Sequence, residues 1–445
     1  MFYLFTKKIV SDFQIIILAF ACVILLGGIL LMLPVSSAAG LWTPFSEALF
    51  TSTSAVCVTG LVVHDTMTYW SIFGKTVILL LIQTGGMGVV TLSAMVLSVT
   101  GHKLGLVQRT LIQDSIGSEH MGGLVHMVRF IVKVMLIVEG IGACILATVF
   151  IPMYGPVKGA AFSVFHSVSA FCNAGFDLMG EQGEYSSLTG FAANPVVTLT
   201  ISLLIILGGI GFFSWKDFMD HGLKFRRYRM QTKAILVMTA ALLLLPAIYL
   251  FVAEYGNLPL GERLLAAIFQ AVTPRTAGFN TTDLTQMSGT GQAVTVILML
   301  IGGAPGSTAG GMKVTTIFVI LATCASVFGG EEECSGFGRS IDNKVISQAM
   351  ALMTIYMILF LVSGAVICSL EQQPLHICLF EAASAIGTVG LTLGITPSLG
   401  LISKIILIAL MFLGRTGGLT IAWALFRIQG PAVNRKYPKG NIAVG

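Results

Sequence analysis

The sequence predicts an all-α membrane protein: four tandem repeats of span, pore helix, filter loop and span around one pore. Three observations carry that expectation. Hydrophobic residues make up 55% of the 445 and charged residues only 10%, with a mean hydropathy of +0.91, a balance that leaves too little polar surface to keep a soluble domain of this size wet. Apolar runs of about 20 residues, the length that crosses a bilayer, recur along the whole chain. Between them, an apolar or aromatic residue is followed by mostly small residues, then by glycine and Leu or Phe. This occurs at Phe50 to Gly60-Leu61, Phe165 to Gly175-Phe176, Ile268 to Gly278-Phe279 and Phe380 to Gly390-Leu391. The glycines lie 115, 103 and 112 residues apart, so one unit of roughly 110 residues is used four times.

The expected spans are 13–33, 76–99, 128–152, 195–215, 234–253, 292–328, 345–370 and 401–426, two per repeat. Inside each pair lies a stretch too short to cross, Pro44–Ala55, Ala160–Ala170, Gly261–Thr273 or Leu375–Ala385, followed directly by the glycine segment. A short helix with a non-helical return is tolerated at membrane depth only where protein buries it or water lines it, because unpaired backbone groups cannot face lipid. The repeats divide as 1–100, 101–219, 220–336 and 337–430, with 431–445 as a tail. Lys7 and Lys8 precede a long apolar run without a small-residue cleavage site, which reads as a retained first span. Cys22, Cys144, Cys324 and Cys368 lie inside apolar runs, where a thiol behaves as a small hydrophobe, so no structural disulfide is expected.

Basic residues gather before the first span (Lys7, Lys8) and between the second and third (Lys103, Arg109). Others lie between the fourth and fifth (Lys216, Lys224, Arg226, Arg227, Arg229, Lys233) and after the eighth (Arg427, Arg435, Lys436, Lys439). The positive-inside rule makes these segments, and both termini, cytoplasmic. The glycine segments then enter from outside, among Asp65, Asp177, Glu181, Glu184, Glu254, Glu262, Asp283 and Glu371. Acidic residues at a pore mouth raise the local cation concentration. Solvated loops carry the same residues, and both readings stand.

Two crossings per repeat give all four the same orientation, unlike the inverted halves of many alternating-access carriers. Four loops then meet at one axis, where backbone carbonyls can replace the hydration shell of a cation. The expected filter residues are Val58, Thr59 and Gly60; Asn173, Ala174 and Gly175; Thr276, Ala277 and Gly278; and Thr388, Val389 and Gly390. Glycine suits each loop because it reaches backbone conformations that crowd a Cβ.

Four such repeats, each with one filter glycine, resemble the Trk/Ktr/HKT superfamily of cation-translocating subunits over nearly the whole chain, and most of all the KtrB-type membrane subunits of bacterial Ktr potassium uptake systems. The resemblance implies one pore per chain, a homodimer in the plasma membrane, and a separate cytosolic KtrA-type ring of nucleotide-binding regulatory domains. No soluble βαβ region is evident that would supply that regulation in cis. Neither an organic cofactor nor a nucleic-acid partner is expected. In the superfamily, glycine in all four loops goes with potassium selectivity, whereas some sodium-conducting relatives replace the first. Gly60 therefore favours potassium, with sodium as the second candidate ion.

The sixth span contains Gly302, Gly303, Ala304, Pro305, Gly306, Ser307, Thr308, Ala309, Gly310, Gly311, Met312 and Lys313. Glycine costs a helix about 1 kcal/mol relative to alanine and proline about 3, so a break is expected. A phosphate-binding loop does not fit, because Lys313 follows methionine and Val314 comes next. A packing kink remains open beside the reading that the resemblance implies, an intramembrane loop that obstructs the pore and moves to open it. For Arg415, midway along the last span, the resemblance implies a place near the pore axis beneath the filter as the second element of that gate, its charge opposing ion passage or setting occupancy. A lone guanidinium there costs about 2.5 kcal/mol or more unless it finds water or partners. Glu139 in the third span is a candidate distant partner, and snorkelling or a separate structural pair stands beside that reading.

His64, His166 and His376 fall in different outer segments with no metal-ligand spacing or nucleophile motif, so an enzyme is not expected. His166 reads as a packed residue. The loops Ser115–His126 and Gly329–Asn343 are candidate docking surfaces. Against potassium translocation stand a sodium- or proton-coupled alternating-access carrier and a scaffold of glycine-rich helices, to which Gly85-Gly86-Met87-Gly88 would contribute.

Overall fold

The structure, a computed structural model, describes residues 12–88 and 124–417, with side chains from 17 and from 129 onward in the two stretches. Lys7, Lys8, Lys103, Arg109, Arg427, Arg435, Lys436 and Lys439 lie outside the described residues, as do the expected span segments 89–99 and 418–426, the loop 115–123 and the tail 431–445.

Four triplets of helices follow one another. The first is α1 (Asp12–Met32), α2 (Phe45–Val56) and α3 (Ile72–Gly86). The second is α4 (Leu124–Tyr154), α5 (Pro156–Phe171) and α6 (Pro195–Gly209), with α7 (Phe212–His221) after it. The third is α8 (Met230–Tyr249), α9 (Leu260–Val272) and α10 (Gly289–Leu300), with α11 (Val314–Gly329) after it. The fourth is α12 (Asn343–Glu371), α13 (Leu375–Gly387) and α14 (Leu401–Thr416). A small hairpin of β1 (Ser335–Gly336) and β2 (Arg339–Ser340) leads into α12.

Local sequence starts these helices. Every middle helix begins at a proline, with Pro44, Pro259 and Pro374 at the N-cap and Pro156 just inside; the missing N–H would be unpaired there anyway. The third helices of the first three triplets are capped by the side chains of Ser71, Asn194 and Ser288, which accept otherwise orphaned N–H groups.

Within each triplet the first helix packs along the middle one. Between triplets the third helix packs on the middle helix of the next: α3 on α5, α6 on α9, α10 on α13 and α14 on α2. The last contact joins the end of the chain to its beginning, so the four triplets close a circle. Leu25, Leu26, Leu244, Leu245, Ile358 and Leu361 point outward, as lipid-facing side chains do. The ends of the repeated motif are core residues: Phe50, Phe165 and Phe380 are buried, as are Leu61, Phe176, Phe279 and Leu391.

Among the described residues, Arg129–Tyr154, Met230–Glu254 and Asn343–Glu371 are each long and apolar enough to cross a membrane alone. The expected fourth span is not straight. Its helices α6 and α7 meet at 91°, because Gly211 takes φ +91°, a turn that an L side chain rarely makes. The sixth span is broken as expected, between Leu300 and Val314.

Candidate ion pathway

Each middle helix runs into a glycine loop, and the four loops share one backbone course. Gly60, Gly175, Gly278 and Gly390 have φ of +90°, +69°, +87° and +95°. Two residues earlier, Val58, Asn173, Thr276 and Thr388 are left-handed as well, at 56°, 59°, 75° and 52°. Asparagine tolerates this region. For the β-branched Val58, Thr276 and Thr388 it costs about 1–3 kcal/mol each and persists only where the surroundings impose it.

One hydroxyl residue per loop imposes it, through both its side chain and its carbonyl. The Ser54 and Ser384 hydroxyls accept the Gly60 and Gly390 N–H groups at 3.0 Å. The Ser169 and Thr273 hydroxyls donate to the carbonyls of Phe176 and Phe279 at 2.7 Å. The carbonyls of Ser54, Ser169, Thr273 and Ser384 accept N–H groups from Thr59, Ala174, Ala277 and Val389 at 2.8, 2.7, 3.0 and 2.8 Å. Sequence reasoning missed these anchors, although a Ser or Thr five or six positions before each glycine was there to be read.

The loops close a ring. A Cβ on Gly60 would stand 2.5 Å from the Ala174 carbonyl oxygen, and one on Gly175 would stand 2.6 Å from that of Ala277. On Gly278 and Gly390 it would collide with the carbonyl oxygens of Val389 and Thr59. All twelve expected loop residues are thus brought together by four neighbour contacts in cyclic order. Thr59, Ala174, Ala277 and Val389 are fully buried, yet among the described residues no donor reaches their carbonyls. A buried carbonyl without a partner is rare; four in one ring form a ligand set suited to a dehydrated cation.

The Gly302–Lys313 segment lies against the ring. A Cβ on Gly311 would stand 2.9 Å from the Gly387 carbonyl, and the Thr308 hydroxyl donates to the Phe171 carbonyl at 2.9 Å. Broken helices satisfy one another here. The N–H groups of Ala304 and Thr308 donate to Gly209 and Gly208 at 2.9 and 3.2 Å, Phe212 donates to Gly306 at 2.8 Å, and Gly311 donates to Gly414 at 3.1 Å. Lys313 Nζ donates back to the carbonyls of Ala309 and Gly310 at 2.8 and 3.3 Å.

Arg415 is buried, and its guanidinium donates to the carbonyls of Thr308 and Gly85, tying the segment to the last turns of α3 and α14. Glu139 is not its partner, which corrects the expectation. The Glu139 carboxylate accepts from Gln83 Nε2 at 3.0 and 3.3 Å and lies 3.7 Å from Cys172 Sγ. The physical reason is reach: the carbonyls of Gly85 at the α3 end and of Thr308 in the broken segment stand beside Arg415, and its two terminal nitrogens donate to them.

The acidic residues expected at a pore mouth divide by geometry. Asp65 accepts the N–H groups of Met67, Thr68 and Tyr185. Glu254 and Glu371 reach the helix starts at Ser288 and Gly400, and Glu181 pairs with Lys158 at 2.5 Å. These are structural roles. The Thr285 hydroxyl and N–H hold the Asp283 carboxyl below its ordinary value. Burial, with the Asp65 charge adding, pushes Asp177 up to about 6.

His166 is packed, as expected: Nδ1 bonds the Phe162 carbonyl at 2.7 Å, and Nε2 accepts from the Leu178 N–H at 3.2 Å. Among the described residues no cluster of His, Cys, Asp or Glu could hold a metal. All eight cysteines are free thiols.

Helices closed into a circle inside an apolar frame are those of a membrane protein, and its relatives make it a cation transporter rather than an enzyme. The chain belongs to the TrkH family of cation transport proteins, which matches residues 5–434. It is 38% identical to the potassium/sodium uptake protein NtpJ of Enterococcus hirae, over 99% of this chain and 98% of that protein. It is 37% identical to the Ktr system potassium uptake protein B of Bacillus subtilis, over 97% and 96% respectively. The potassium transporter TrkH from Vibrio parahaemolyticus shares the fold, with a TM-score of 0.75 over 95% of this chain and 86% of that one, at 19% identity.

Proposed function

We propose that this chain is the translocating subunit of a potassium uptake system in the plasma membrane. The four glycine loops act as a carbonyl-lined filter, and Gly302–Lys313, pinned by Arg415, acts as an intramembrane gate. The observation that carries this reading is the cyclic contact of Gly60, Gly175, Gly278 and Gly390, each against a free carbonyl of the next loop. Supporting it are the names of two relatives, a potassium/sodium uptake protein and a Ktr system potassium uptake protein. The repeats divide at 1–100, 101–219, 220–336 and 337–430, with 431–445 as a cytoplasmic tail, both termini inside and the glycine loops entering from outside. Two chains pair as a homodimer, and a cytosolic KtrA-type ring that binds nucleotide regulates flux in trans.

Potassium suits the site because a carbonyl ring exchanges hydration for backbone dipoles, and it conducts only if the ion is held loosely enough to leave. The test is potassium and sodium flux into proteoliposomes. Gly60→Ser should erode the preference for potassium, and an unchanged preference would sink the filter role. A sodium- or proton-coupled carrier is the competing reading, and it requires transport to stop when the coupling ion is removed. The first relative's name keeps sodium among the ions to be assayed.

A further inference from the structure

Arg275 stands three residues before Gly278, where the other loops place Cys57, Cys172 and Gly387. It is only 7% exposed. One guanidinium nitrogen donates weakly to the Thr239 hydroxyl at 3.4 Å, and Nε has no partner among the described residues. A guanidinium this poorly solvated inside an apolar frame is costly. Beside it lies a cavity of about 10 Å³ walled by Arg275 and Val272 of the third loop region, Thr239 and Leu243 of α8, and Gly209 and Gly303. That is room for a single water molecule. Gly209 ends α6, and Gly303 belongs to the broken segment, so the cavity joins the back of one loop to the element proposed to gate the pore.

We propose that Arg275 is a positioning residue that holds one water in this cavity together with Thr239, and that through this water the third loop responds to movement of the Gly302–Lys313 segment. Displacing Gly303 changes the wall, and with it the space for the water. A guanidinium left dry must shift, and the chain carries that shift to Thr276, the residue already held at φ 75°. The inference rests on the filter reading of the loops.

The test uses the full chain in proteoliposomes, with potassium over sodium preference as the readout. Arg275→Met should lower the preference about tenfold, the size of one lost charged hydrogen bond. Arg275→Lys should keep most of it, since an ammonium can still hold the water, and Thr239→Val should fall between. Wild-type preference in Arg275→Met, or equal losses in the Lys and Met variants, would overturn the proposal. Should Arg275→Met fail to insert, Thr239→Val decides in its place: unchanged preference overturns the proposal and a partial loss supports it. An experimental map of the wild type should show an ordered water between Arg275 Nε and the Thr239 hydroxyl, and an empty cavity would count against it. Gly278→Ala separates the two readings. If it too leaves preference intact, the filter reading fails; if it alone abolishes preference, only the role of Arg275 falls.

Discussion

The glycine ring and the broken layer beside it are built on opposite principles. The ring uses one device four times: a glycine against a neighbour's carbonyl, a left-handed residue two positions before it, and a hydroxyl anchor at the end of the preceding helix, accepting in the first and fourth loops and donating in the second and third. The layer uses each device once, with a single segment at Gly302–Lys313, a single arginine at 415 and a 91° bend at Gly211. Repetition suits selection, because equivalent ligands must surround one ion. Singularity suits control, because an obstruction needs only one part that moves.

Four measurements would break or sharpen that contrast, the first having the largest expected effect. Gly60→Ser forces a side chain into the left-handed region and against the Ala174 carbonyl, a strain of about 1–3 kcal/mol, so potassium preference should drop by roughly tenfold to a hundredfold. Equal losses from the matching change at Gly175, Gly278 or Gly390 would support equivalence of the four loops, and a single sensitive loop would break it. Deleting Ala304–Gly310 should raise flux by about tenfold, as expected when about 1.4 kcal/mol is removed from a closed state; unchanged or lower flux in correctly inserted protein would favour a packing kink. Arg415→Met removes the ties to Thr308 and Gly85 and should raise flux by about threefold to tenfold; unchanged flux in correctly inserted protein would leave Arg415 a packing role only.

The smallest effect concerns stability against pH. The Asp177 carboxyl rises from 3.8 to about 6 on folding, so the folded state holds the proton more tightly than the unfolded one. The stabilisation this provides is present below the lower value and lost as pH rises through about 6. Asp177→Asn should flatten that slope in thermal melts, and a slope unchanged by the substitution would assign it to another group.

Local composition made much of this legible. Apolar runs placed the helices, and α4, α8 and α12 lie within a few residues of their expected spans. Glycines at matching offsets marked all four loops. The run Gly302 to Gly311 marked a break, because its helix penalties are properties of the residues themselves. What was missed involves partners far along the chain. The candidate pairing of Glu139 with Arg415 does not form; Glu139 bonds Gln83 and lies beside Cys172. Several of the acidic residues expected at a mouth also accept backbone N–H groups positioned only by folding. Nor does a valine or threonine announce that it will be held left-handed, as Val58, Thr276 and Thr388 are.

The sequence by itself determined the membrane setting, the four-fold count, the glycine positions and the place where the sixth span fails, since hydropathy, periodicity and helix cost belong to short windows of chain. Only the tertiary structure decided that α14 packs on α2 to close the circle, that each glycine meets the next loop's carbonyl, and that Arg415 spends its donors on Thr308 and Gly85. Those contacts join residues a hundred or more positions apart, and no local preference encodes them; they follow from four similar units having to bury their polar backbone against one another.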